Sequence, residues 1–479
     1  MISEHQEMFY VGGEWVAPRH RATMEVENPA TTEAIGSISL ASRADVDAAV
    51  NAAAGAFESF SVTTTEQRIA WLEAVLAVYE RRRDEFARAM TAEMGGPISL
   101  TSTAQCDLGS AHLRCTIDAL RRISFEALRG NTLVVREPTG VAALITPWNW
   151  PVNQVFTKFA SAFAAGCTMV LKPSEVAPLN AVLFAEVVDE AGIPPGVFNL
   201  INGEGPTTGA ALVSHPRVDV VSFTGSTRAG VQIAKDAAAT VKVVHQELGG
   251  KSPNVILDDI DLELAVPRGV LACYANAGQS CSVATRMLVP AAAMADAAAI
   301  AKTAAEDHVV GDPTSPDTTM GPLVNRMQFE HVQGLIQSGI DAGATLVCGG
   351  TGRPEGLDRG YFVKPTVFAD VDNSMEIAQT EIFGPVLSII GYEDKEHAIS
   401  IANDSIYGLA AVVQSSSTDR ALRVARRLVA GHVYINHEFT QYASSPFGGR
   451  KQSGNGYEHD EWGLAGFLST KAILGSVEE

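Results

Sequence analysis

Paired cysteines are missing from this sequence. It has no CxxC, and its six cysteines (Cys106, Cys115, Cys167, Cys273, Cys281, Cys348) form no Cys/His cluster at zinc spacing. A chain of this length needs no disulfide staples, so isolated thiols indicate a reduced, cytoplasmic setting, and no metal is expected. Long apolar runs are also absent. No stretch reaches the roughly 18 residues that span a bilayer. The opening MISEHQEMFYVGGEWVAP lacks the basic start and apolar run of a secretion signal. The expectation is a soluble protein with no membrane partner. Positive charge is scarce: 35 Lys and Arg stand against 55 Asp and Glu, a net charge of −20. Such a surface repels polyphosphate, which argues against a nucleic-acid partner. What remains is 479 residues at 46% apolar and 19% charged, enough for a sizeable core. At roughly 100–200 residues per domain, two to four packed units are expected.

The usual nucleotide fingerprints fail as well. NGEGPTTG at 202–209 follows an apolar strand, but its glycines give GxGxxxG, one residue out of register with the dinucleotide turn. FTGSTRAG at 223–230 has GxxxxG, yet Val231 and Gln232 stand where a P-loop needs Lys and Ser or Thr. The Thr224–Thr227 turn still joins a strand to a helix, and so offers hydroxyls and free N–H groups at a helix's positive end. Read alone it is equally an ordinary N-cap. KPSE at 172–175 puts Lys172 and Glu175 at the end of another strand. A carboxylate there binds ribose hydroxyls and repels a 2′-phosphate, which favours NAD over NADP; a plain surface ion pair is the alternative.

From Val141 to His245 short β-branched runs (VAALI, TMVL, VFNLI, VDVVSF, VKVVH) alternate with Ala-rich helical stretches. That alternation implies βαβ crossovers and a parallel sheet, whose ligands lie at the strands' carboxyl ends. A second alternation follows, with NVIL, RMLV, PVLSII, LAAVV and HVYIN as strands. Residues 43–120 are mostly helical by period, and the Arg81–Arg83 run reads as a solvated helix face. Residues 123–138 suggest an extended ribbon, and the tail AGFLSTKAILGSVEE is apolar enough to dock.

Three segments carry the materials for chemistry. In NAGQSCSVATR, small neighbours leave Cys281 accessible. A thiol of pKa about 8.5 is only a few per cent ionised at neutral pH, so a nucleophilic cysteine needs a base or cation nearby. In HQELGGK, Glu247 ends a strand, where burial would raise its pKa towards that of a working base. In TPWNWP, two prolines and two indoles surround Asn149, whose amide suits a developing oxyanion. EIFGP adds Glu381 and Phe383, for a second ribose and a flat ring, and PFGG a further aromatic and glycine-rich loop. Taken singly, Cys281 and Glu247 are more readily a packed thiol and a surface carboxylate, and TPWNWP and EIFGP are as compatible with packing.

In chain order, FYVGGEW, TPWNWP, KPSE, FTGS, ELGGK, GQSC, EIFGP and PFGG together resemble the NAD(P)-dependent aldehyde dehydrogenase superfamily, of the hydrolytic, non-acylating type, over essentially the whole chain. The resemblance implies an α/β fold of two doubly wound parallel-sheet domains with a small β oligomerisation element. Residues 1–122 and 139–249 would form the NAD-binding domain and 250–450 the catalytic domain. The ribbon 123–138 and the tail 451–479 would join copies into a homodimer or homotetramer.

The resemblance also implies Cys281 as nucleophile, Glu247 as general base, and Asn149 with the Cys281 N–H as oxyanion hole. It implies a cofactor path through Thr146, Pro147, Trp148, Lys172, Ser174, Glu175, Gly205, Phe223, Thr224, Gly225, Ser226, Leu248, Gly249, Glu381 and Phe383. By position only, Trp150, Asn153, Ser280, Ser282, His437, Tyr442 and Phe447 are substrate-pocket candidates, and Glu458 a proton relay. Val283 and Ala284 depart from the Ala-Gly that many relatives carry there, which leaves loop shape and pocket width open. The activity implied is NAD-dependent oxidation of an aldehyde to the acid. A coenzyme A-acylating dehydrogenase and a Cys/His hydrolase pairing Cys281 with His245 or His437 are the rival enzymes. A scaffold that has lost its chemistry is the rival outside enzymology.

Overall fold

The computed structural model describes residues 3–436 and 443–475. His437 and Tyr442 lie outside the described residues. Five strands form the parallel centre of an eight-stranded sheet; four are buried at every position and mostly apolar, as strands covered on both faces must be, while Val243–Glu247 is exposed at its start. In spatial order these five are Val243–Glu247, Val220–Thr224, Val141–Ile145, Thr168–Lys172 and Phe198–Leu200. Chain order therefore runs outward in both directions from Val141–Ile145, and the switch point falls between that strand and Val220–Thr224, whose carboxyl ends open a crevice there. Phe9–Val11 and Glu14–Val16 extend one edge as an antiparallel hairpin.

The helix Pro151–Ala165 covers this sheet and is buried along its whole length. Proline at its first turn costs no hydrogen bond, and Phe156, Phe159 and Phe163 pack with Tyr79, Phe184 and Phe198. The 30-residue helix Thr65–Met94 starts at a capping box of Thr64 and Gln67. Its Arg81–Arg83 run is more than a solvated face: Arg81 reaches Glu190 at 2.6 Å, Arg82 reaches Glu186 at 2.5 Å and Arg83 reaches Asp107 at 2.5 Å, joining the helix to its neighbours.

The second sheet has seven strands in the order Thr345–Cys348, Thr366–Ala369, Val386–Tyr392, Arg286–Pro290, Pro253–Ile256, Ala410–Gln414 and His432–Ile435, all parallel except the first. Only Leu248–Ser252 separates the last parallel strand of one sheet from the first strand of the other. This short link sets the carboxyl ends of the first sheet against the amino ends of the second. A three-stranded sheet of Leu468–Leu474, Thr132–Pro138 and Glu126–Arg129 stands apart, largely exposed.

One boundary differs from the expected division. The segment from residue 451 was assigned wholly to ribbon and tail, yet Gly454 and Asn455 pair antiparallel with Glu247 and Gln246 at the edge of the first sheet. Gly454 has φ of 134°, and a Cβ there would lie 2.1 Å from the Gln246 carbonyl, so only glycine allows this approach.

Candidate active site

A cavity of about 300 Å³ lies where the two sheets meet. The first sheet contributes Pro147, Trp148 and Asn149 from the turn after Val141–Ile145, and Thr224, Gly225 and Ser226 from the turn after Val220–Thr224. Both turns flank the switch point. The second sheet contributes Cys281, ahead of Arg286–Pro290, and Glu381 and Phe383, ahead of Val386–Tyr392. Leu248 and Gly249 of the link complete the contact. The thiol and the Thr224–Ser226 turn therefore share one chamber.

The loops on either side are tied together by hydrogen bonds. Asn149 Nδ2 donates to the Gln279 carbonyl at 3.0 Å, and Asn276 Nδ2 donates to the Asn149 carbonyl at 2.8 Å and to that of Gln279 at 3.3 Å. Trp150 Nε1 donates to Ser280 Oγ at 2.7 Å. Asn276 and Ala277 take left-handed backbone at φ 55° and 56°, which swings the chain from the end of Leu262–Tyr274 into the Cys281 loop. Asparagine tolerates this region better than most residues.

Cys281 is half-buried, and its thiol pKa is pushed well up, first by burial and then by the negative charges of Glu381 and Glu247. Glu247 is buried at 3% exposure with Oε2 unpartnered. Burial, then the neighbouring Glu458, raises its carboxyl far above the usual range against the opposing pull of Lys158. Glu247 is not on the cavity wall. It stands behind it, beside Lys158, whose Nζ bonds Glu458 and donates to Ser222 Oγ at 3.0 Å. Glu381 accepts the Gly250 N–H at 2.9 Å, while burial lifts its pKa to about 7. A Cβ on Gly250 would sit 2.3 Å from the Cys281 carbonyl, so close backbone approach requires glycine there, and one on Gly249 would sit 2.2 Å from the Glu381 carboxylate and displace it.

Lys172 and Glu175 form a 3.0 Å ion pair, and Glu175 also accepts the Gly205 N–H at 3.4 Å. Lys172 is buried at 2% exposure, which excludes the plain surface pair. Burial raises the Glu175 pKa, but the Lys172 charge and hydrogen bonds outweigh it and the carboxyl lies below its ordinary value. Ser226 caps the helix Thr227–Ala237 by accepting the Ala229 N–H at 3.3 Å. Trp148 and Phe383 meet edge to face at 5.3 Å. The buried hydroxyls of Thr146 and Thr224 have no protein partner, and Phe223 packs beneath Gly225.

Several pocket candidates fall elsewhere. Asn153 is buried and bonds His112. Ser280 is committed to Trp150, and Ser282 is buried at 2% exposure off the cavity wall. Phe447 packs between His432 and His459 and exchanges backbone hydrogen bonds with Glu458. Val283 and Ala284 point into the interior at 3% exposure each. Trp150 does line the cavity, as do Gln154, Gln328 and His331, which the sequence did not single out. Gln154 is one of five polar residues in the helix Pro151–Ala165, with Asn153, Thr157, Lys158 and Ser161, so its polarity alone did not mark it.

This architecture, with a thiol at the seam of a nucleotide-type sheet and a second parallel sheet, defines a two-domain α/β protein with a cysteine-containing interdomain site. The chain belongs to the aldehyde dehydrogenase family, whose sequence profile matches residues 15–473. It is 51% identical to a 3-succinoylsemialdehyde-pyridine dehydrogenase of Pseudomonas sp. over 98% of both chains. Among solved structures, a mutant aldehyde dehydrogenase C of Pseudomonas syringae, complexed with NAD+ and octanal, is 48% identical with a TM-score of 0.99, covering 100% of this chain and 99% of that one. An aldehyde dehydrogenase of Mycobacterium tuberculosis complexed with NAD+ is 40% identical with a TM-score of 0.95, covering 98% of each.

Proposed function

We propose that this chain oxidises an aldehyde to the carboxylic acid with NAD, through a covalent intermediate on Cys281. The observation that carries the reading is the single cavity shared by Cys281, Asn149, the Thr224–Ser226 turn and Glu381. NAD supplies the hydride acceptor. Glu175, ionised and beside Lys172, would accept the adenosine ribose hydroxyls and repel a 2′-phosphate, with Ser174 and Gly205 alongside. The Gly225 N–H is taken by the Glu247 carbonyl at 3.0 Å, so the start of the helix Thr227–Ala237, capped by Ser226, would offer its positive end to the pyrophosphate. Glu381 would hold the second ribose, with Trp148 and Phe383 against the nicotinamide. Thr146, Pro147, Phe223, Thr224, Leu248 and Gly249 shape the path. The unpartnered hydroxyls of Thr146 and Thr224 are consistent with a polar occupant.

The Cys281 thiolate attacks the aldehyde carbon, and the Asn149 amide with the Cys281 N–H receives the developing oxyanion. Loss of hydride leaves a thioester. Water, giving its proton to Glu247, cleaves the thioester and returns the thiol. Because Glu247 stands behind the wall, it acts by turning about its own torsions towards Cys281. The buried Lys158–Glu458 pair beside it offers an exit for the proton, consistent with Glu458 as relay.

The ribbon sheet would join copies into a homodimer or homotetramer. All six cysteines are free, which suits a reducing, cytoplasmic compartment. Among the described residues no helix is long and apolar enough to cross a membrane, and no group of three or more His, Cys, Asp or Glu could hold a metal ion.

Aldehyde-dependent formation of reduced nicotinamide without coenzyme A tests the reading, and strict dependence on coenzyme A would reverse it. Cys281→Ala is expected to lower turnover by at least about a thousandfold while NAD still binds by calorimetry. Turnover close to wild type would refute the assigned nucleophile.

A further inference from the structure

Three side-chain amides line the cavity, and two already donate to backbone carbonyls. Asn149 Nδ2 donates to the Gln279 carbonyl at 3.0 Å. Gln328 Nε2 donates to the carbonyls of Ile382 at 3.1 Å and Phe383 at 2.9 Å. Gln154 is different. Its side chain is buried at 5% exposure on the cavity wall, and its Oε1 has no hydrogen-bond partner. It sits one helical turn beyond Trp150, on the first turns of Pro151–Ala165. One turn further on, Thr157 Oγ1 is also buried without a partner.

A buried amide without a partner is costly, and an apolar side chain of similar size would fill the same volume without that cost. The surroundings sharpen the point. Pro147, Trp148, Trp150, Leu248 and Phe383 make much of the wall apolar; beside the Thr224 hydroxyl, which belongs to the turn assigned to the cofactor, Gln154 is where the wall carries an amide with an unpartnered oxygen. The described lining contains no Lys or Arg, and it does contain the carboxyl of Glu381. A free carboxylate on the substrate would therefore meet no lysine or arginine there. An uncharged oxygen function meets a donor and an acceptor in one amide.

Resting on the aldehyde dehydrogenase reading above, we propose that Gln154 is a specificity-determining residue that selects aldehydes carrying an uncharged hydroxyl or ketone oxygen a few bonds from the reacting carbon. The amide hydrogen-bonds that oxygen. The apolar wall holds the rest of the chain.

The test compares wild type and Gln154→Leu on a matched pair, an unbranched alkanal and the alkanal of equal length bearing a hydroxyl or ketone, with NAD as acceptor. The quantity read is the ratio of kcat/KM for the oxygenated aldehyde to that for the plain one. Damage to the fold or to the reacting groups changes both rates and leaves this ratio alone. The ratio is expected to fall about tenfold in Gln154→Leu, the size of one hydrogen bond, with most of the change in KM. Gln154→Asn, which keeps an amide at shorter reach, is expected to lie between the two and replaces the leucine variant if that one does not fold. A ratio unchanged in both variants overturns the proposal while leaving the aldehyde dehydrogenase reading intact. Failure of wild type to reduce NAD with either aldehyde overturns both.

Discussion

The Cys281 thiol and the Glu247 carboxyl are both held protonated by enclosure; the charges of Glu381 and Glu247 raise the thiol further, and that of Glu458 raises Glu247. A base works only when ionised, so a raised pKa at Glu247 places the rise in its activity at higher pH than for an exposed carboxyl. Turnover limited by hydrolysis should therefore climb with pH through that ionisation in wild type. Glu247→Gln removes the titrating group. It should slow thioester hydrolysis by about 10²–10⁴-fold and leave a burst of reduced nicotinamide before a slow steady state. A steady-state rate and pH profile equal to wild type would remove Glu247 from its role as base. Cys281 follows the same sign: the thiolate fraction increases as pH rises, so the burst rate should also increase towards alkaline pH in the Gln variant.

Two loops from different sheets must be held in register for Asn149 to face the carbon that Cys281 attacks. Asn276 does this by donating across the seam to the Asn149 carbonyl and, within its own loop, to that of Gln279. It is a positioning residue, since displacements of about 1 Å at a reacting centre can cost up to 10²-fold in rate. Asn276→Gly keeps the left-handed backbone at φ 55° without strain and removes only the amide. We expect kcat to fall about tenfold with NAD affinity unchanged. Equal losses in NAD affinity and kcat would mean the loop has collapsed instead.

The same elements show what could be read in advance. Four of the central strands of the first sheet were legible because two-sided burial leaves apolar runs, and Val243–Glu247, exposed at its start, through its β-branched VKVV. Thr345–Cys348 and Thr366–Ala369 were not: the first is a half-exposed edge strand with a bulge, and the second is short and follows Pro365. Cys281, Glu247 and Asn149 were legible through their motifs. Gln154 was passed over for Asn153 because adjacent helical residues point about 100° apart, and only the packed helix fixes which of them faces the cavity. The same one-residue ambiguity put Ser282 in the pocket, although its side chain turns inward.

On the scale of the whole molecule, the site and the ribbon are separate problems. The ribbon sheet leaves apolar side chains in water: Leu128 is 55% exposed, Ile473 44% and Leu474 78%. A monomer with a net charge of −20 gains solubility from repulsion, so apolar groups gathered on one projecting sheet suit contact with another copy, where burial recovers about 25 cal/mol per Å². Leu128→Glu combined with Leu474→Glu adds a carboxylate to each chain at those two positions. Light scattering should find a dimer or tetramer for wild type and a mass shifted to the single chain for the double variant, with calorimetric NAD affinity retained. A wild-type mass of one chain would reject the assembly, and an oligomer that survives both substitutions would move its interface off this ribbon.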